Sequence, residues 1–88
     1  MVAILQIVIW QLPSVSAERK HGLKYSLYFG DACGKCLVRY DNESGKGDHK
    51  HIAGCEEPYR FSTIEKLVED FKADIHTIRR SESDKQKD

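Results

Sequence analysis

All three cysteines and two of the four histidines of this 88-residue chain lie between Cys33 and Cys55. That clustering is the strongest constraint on the fold. A chain this short builds one core at most, and such cores usually need a covalent or metal staple. The stretch opens with Cys33-Gly34-Lys35-Cys36, continues through His49-Lys50-His51 and closes at Cys55. Two staples fit it. In one, Cys33, Cys36, His49 and Cys55 surround a structural zinc ion, with His51 as the alternative to His49. That set uses every cysteine and accounts for their odd number. In the other, Cys55 forms a disulfide with Cys33 or Cys36, as an oxidising compartment favours.

The N-terminus points to that compartment. Val2 to Trp10 is apolar except for Gln6, Pro13 follows, and Val15-Ser16-Ala17 supplies small residues at a cleavage position. Residues 1–17 are expected to be a secretory signal, although no Lys or Arg precedes the apolar core. The run is too short to anchor in a bilayer. The competing reading is an N-terminal strand, since Ile and Val favour sheets. No charge lies in the first 17 residues, so the 14 basic and 14 acidic side chains all follow them. Balanced charge argues against a broad electrostatic grip on nucleic acid or anionic lipid. The expectation is therefore a secreted monomer with neither nucleic acid nor membrane as a partner.

From Leu23 the chain alternates, with Leu23, Tyr25, Leu27 and Phe29 on one side of a half-buried strand. Residues 36 to 40 form a second strand, with Cys36, Val38 and Tyr40 on one face and Leu37 and Arg39 on the other. The polar loop that follows contains Asn42-Glu43-Ser44, an N-glycosylation sequon at Asn42. Residues 49 to 53 fit either a third strand, with His49 and His51 on one face, or a helical turn capped by Asp48. Glycines at 45, 47 and 54 favour the strand. The last element is an amphipathic helix. Ser62-Thr63-Ile64-Glu65 matches a capping box, and Ile64, Leu67, Val68, Phe71, Ile75 and Ile78 follow at helical spacing. Arg79 and Arg80 suit its C-terminal end, and residues 81–88 form a polar tail.

The signal-like start followed by Cys33, Cys36, His49-Lys50 and a later cysteine resembles the secreted zinc-finger-fold effectors of plant-pathogenic fungi. The resemblance covers residues 33–55. It implies a small Cys/His zinc module that binds a host protein, with exocyst subunits as a partner class.

The sequence thus predicts a single α+β domain over residues 18–80. A two- or three-stranded antiparallel sheet over 23–29, 36–40 and 49–53 would carry one helix from Thr63 to about Arg79, stapled by a disulfide or by zinc. The expected function is a secreted, non-enzymatic, effector-like protein that binds a protein partner. The alternative is a small secreted hydrolase or nuclease in which His49 and His51 exchange protons at a phosphodiester.

Overall fold

A computed structural model describes residues 3–15, 22–42 and 47–85. Five strands and a helix follow one another: β1 (Ala3–Gln11), β2 (Leu23–Asp31), β3 (Cys36–Asp41), β4 (His49–Ile52), β5 (Cys55–Pro58) and α1 (Ile64–Lys85). The strands form one antiparallel sheet in the order β1-β2-β3-β4-β5, each paired with its neighbours in sequence.

The sheet is larger than the two or three strands expected. One long hairpin and one short one account for the difference. Ala3–Gln11, the run expected as the core of a signal, pairs with β2 along its whole length, from Ala3 opposite Asp31 to Gln11 opposite Leu23. At the other end, β5 (Cys55-Glu56-Glu57-Pro58) has little strand propensity of its own. It becomes a strand because Ala53 and Gly54 both take positive φ, 50° and 87°. Two such residues between paired Ile52 and Cys55 turn the chain straight back on β4. Pro58 ends this outer strand, where a missing amide costs least.

No disulfide staples the fold: Cys33, Cys36 and Cys55 are all free thiols. The Cys33-Gly34-Lys35-Cys36 stretch is instead the β2–β3 turn. Its organiser is Asp31, whose Oδ1 accepts from the amides of Cys33 (3.0 Å) and Lys35 (2.9 Å). Gly34 occupies the left-handed region there, at φ 87°.

The core supplies the stability that the staple was expected to give. The alternation of β2 and β3 aims Tyr25, Leu27, Phe29, Val38 and Tyr40 at one side, where Leu67 and Phe71 of α1 meet them. Tyr40 stands at the centre, edge-on to Phe71 (5.7 Å between centroids) and to Tyr59 (4.9 Å). Its hydroxyl donates to Asp74 of α1. Tyr59 likewise donates to Asp70 at 2.7 Å, so two phenols tie the helix to the sheet. Phe61 stacks on Tyr25 at 5.8 Å and extends this cover beyond the helix.

The helix starts one residue later than the capping box implied. Thr63 is the cap, with Oγ1 accepting from the Lys66 amide at 3.1 Å. The helix also continues to Lys85, past Arg79, near which it was expected to stop. Among the described residues, no helix is long and apolar enough to cross a membrane.

Two outcomes follow for stability. Thr63→Ala should cost about 1 kcal/mol while Ser62→Ala costs little, because only Thr63 caps. Phe71→Ala should cost roughly 3–5 kcal/mol, since its ring is wholly buried. Urea denaturation of the three variants checks both values.

Asp70 sets an acid limit. Burial works to raise its carboxyl, but the Tyr59 hydroxyl and Lys66 outweigh that and hold it below the ordinary carboxylate range. A depressed folded value stabilises the protein above the unfolded value and loses that contribution as pH falls through the folded one. Asp70→Asn should therefore flatten the fall of melting temperature with acidification below about pH 4, read by thermal denaturation across pH.

Candidate functional site

The side of the sheet opposite α1 carries the chemistry. Strand alternation puts Arg39 and Asp41 on that side, with His49 and His51. Register then aligns them. Gln6, Tyr28, Arg39, His51 and Glu56 are successive cross-strand partners, one from each strand, and form a single row. Val8, Ser26, Asp41, His49 and Pro58 form the next row. Each row crosses about 19 Å of sheet at the usual strand separation.

The two histidines differ in what holds them. His49 is buried. Its Nδ1 donates to the Gly47 carbonyl at 3.0 Å, and its Nε2 lies 2.5 Å from Asp41 Oδ1. Both ring nitrogens therefore face oxygen acceptors. Asp41 also meets Arg39, with Nε 3.2 Å from Oδ2. These two contacts are close without being aligned hydrogen bonds, since Arg39 Nε and Asp41 Oδ1 each lack an aligned partner. Asp41 is thus a buried carboxyl flanked by the Arg39 guanidinium on one side and the His49 ring on the other. His51 is more open, its side chain 24% exposed against 6% for His49. Its Nε2 accepts from Arg39 Nη2 at 3.1 Å and lies 3.4 Å from Glu56 Oε2. Guanidinium, imidazole and carboxylate thus meet at one half-exposed point. A shallow depression lined by Asp48, His49, Glu56, Glu57 and Pro58 adjoins it.

The same residues offer a metal a foothold. His49, His51 and Glu56 bring ligand atoms within 4.8 Å of one another, a donor set that suits a divalent transition metal. Arg39 occupies the His51 lone pair, so its guanidinium would have to swing away first.

The cysteines take no part in this cluster. Cys36 pairs with Gly30 at one end of β3, while His49 pairs with Asp41 at the other. Five residues of strand separate them, about 17 Å, so the expected set of Cys33, Cys36, His49 and Cys55 is not assembled around one point. His51, the alternative ligand, pairs with Arg39, about 10 Å along β3 from Cys36. Burial pushes the Cys36 thiol up, against the opposing pull of Arg39, which is the wrong direction for a reactive thiolate. Asn42 is 1% exposed. Its Oδ1 accepts from the Tyr25 amide at 3.0 Å and its Nδ2, the atom a glycan would occupy, donates to the Leu23 carbonyl at 2.8 Å. Glu43 and Ser44 of the sequon lie outside the described residues.

Sequence reasoning placed His49 and His51 on one face and missed Arg39, Asp41 and Glu56. Alternation alone could have put Arg39 and Asp41 together. Glu56 carried no signal, because its place depends on the Ala53-Gly54 turn.

A family model described as Toxin TumE matches residues 2–79. No curated protein and no solved structure matches the chain.

The unequal surroundings of the two histidines predict unequal stability effects. Asp41→Ala strands Arg39 and buried His49 without their carboxylate and should cost roughly 3–5 kcal/mol. His51→Ala, at a half-exposed position, should cost under about 1 kcal/mol. Chemical denaturation compares them directly.

Proposed function

We propose that this chain, which belongs to the TumE toxin family, is a small toxin that cleaves RNA with the row formed by Arg39, His51 and Glu56. The observation that carries the reading is their cross-strand alignment on the side of the sheet that α1 leaves open. Nucleic acid enters here as a substrate against the expectation from net charge. What matters is the local distribution: Lys24 and Arg39 lie on this side with the rings of Trp10 and Tyr28. Lys24 stands over Trp10 at 5.5 Å, which places both on the same surface. Single-stranded nucleic acid is held by such combinations of cations for phosphates and rings for bases.

The chemistry needs three groups at one phosphate. The Glu56 carboxylate takes the proton from a ribose 2′-hydroxyl, and that oxygen attacks the adjacent phosphorus. Arg39 spans the non-bridging oxygens as their charge grows, a task suited to its planar fork. As Arg39 turns from the His51 ring to the phosphate, His51 acts in its protonated form and gives its Nε2 proton to the departing 5′-oxygen, leaving the neutral ring. The products are a 2′,3′-cyclic phosphate and a 5′-hydroxyl. His49 is the positioning residue: pinned between Gly47 and Asp41, it fixes the carboxylate that faces Arg39. DNA lacks the attacking hydroxyl and should not be cut.

A toxin that acts by binding a host protein without catalysis is the competing reading, and the exposed apolar surface of β1 favours it. Incubation of the purified protein with single-stranded RNA separates the two. His51→Ala and Glu56→Gln should each slow cleavage by roughly 10²–10⁴-fold with the urea midpoint little changed. Arg39→Lys, which keeps a cation beside Asp41 but loses the planar fork, should also slow it. Cleavage should persist in chelator and leave cyclic phosphate ends by mass spectrometry. Absence of cleavage by the wild type, or full activity in His51→Ala, overturns the proposal. Activity abolished by chelator transfers the chemistry to a metal at His49, His51 and Glu56.

A further inference from the structure

Strand β1 is the outer strand of the sheet, and one of its two backbone edges has no neighbour among the described residues. Its nine residues contain no charge and no proline, the two devices that normally stop an edge from pairing. Its side chains are apolar on both faces and open: Ile4, Leu5, Ile7, Val8 and Trp10 are between 38% and 57% exposed. In a chain with 28 charged side chains, nine uncharged residues in a row on an open edge are unusual surface.

We propose that β1 pairs antiparallel with β1 of a second copy about a twofold axis at Ile7, joining two sheets into one of ten strands. The occupant follows from the strand itself. With Ile7 opposite Ile7, Leu5 falls opposite Ile9 on the side that bears α1, so apolar residues meet apolar residues at the centre, and only the outermost pair there, Ala3 with Gln11, includes a polar residue. On the other side Ile4 falls opposite Trp10 and Gln6 opposite Val8. No like charges meet in this register, because the strand has none. A charged or differently spaced partner strand would lack this match. The axis is perpendicular to the sheet, so both copies of α1 lie on the same side. The two rows carrying Arg39, His51 and Glu56 then share one continuous surface on the other side. This inference rests on β1 alone and stands whether or not RNA is cleaved.

Light scattering coupled to size exclusion at micromolar concentration tests it on the full chain. The wild type should have twice the 10.1 kDa mass of one chain. I7K and I7E should each be monomeric with unchanged urea midpoints, because each puts like charges across the axis, and an equimolar mixture of the two should restore the dimer. Should either variant fail to fold, I7C in a C33S, C36S, C55S background keeps a compact side chain. Mild oxidation should cross-link it into a dimer. A monomeric wild type, a dimer that survives in both I7K and I7E, a mixture that stays monomeric or an intact mass lacking residues 1–17 overturns the proposal.

Discussion

One helix has to cover one side of five strands, and its width does not allow it. An α-helix with its side chains is about 10–12 Å across, whereas five strands span roughly 19 Å. The helix therefore sits where the side chains are largest, over Leu27, Phe29, Val38 and Tyr40, through Leu67 and Phe71. Tyr59 and Phe61 extend the cover on the way into the helix, packing on Tyr40 and Tyr25. Nothing in the chain covers Leu5 or Ile7 of β1 among the described residues. The exposed edge is a consequence of having only one helix to spend.

Polar anchors make this limited contact specific. Three tyrosines that pack in or against the core end on carboxylates: Tyr25 on Asp48 at 2.8 Å, Tyr40 on Asp74 and Tyr59 on Asp70. Burial first, and then the neighbouring carboxylate, pushes all three phenols above their ordinary range, so each stays a hydrogen-bond donor across working pH. Lys50 adds a cation between the layers, 3.5 Å from Asp74 and 5.6 Å from the Tyr40 ring. Rings supply area, while these bonds fix where along the sheet the helix rests.

The same alternation that builds the core builds the site. Tyr40 and Lys50 face the helix, whereas Arg39, Asp41, His49 and His51 face away. A one-residue slip between β3 and β4 would break the Arg39–His51 and Asp41–His49 pairs together. Core and chemistry are therefore held by one register. The toxin reading rests on family membership and this row, while self-pairing of β1 rests on the opposite end of the sheet.

The sequence by itself determined the local periods. Alternation over residues 23 to 29 and 36 to 40 and the helical stripe from Leu67 to Ile78 are matters of side-chain order, and they appear where expected. His49 and His51 sharing a strand face is of the same kind. Tertiary structure decided everything that depends on which segments meet. Ala3–Gln11 has the composition of both a signal core and a strand, and pairing with β2 makes it a strand in this fold. Cys55–Pro58 lacks strand propensity and pairs because of two left-handed residues at Ala53 and Gly54. Cysteine spacing suggested a shared zinc ion or a disulfide, but an extended β3 holds Cys36 and His49 about 17 Å apart. Spacing along a chain says how far two residues can be separated, and only strand direction and register say how far they are. For the same reason Glu56 became legible as a site residue only once β5 was laid beside β4, opposite His51.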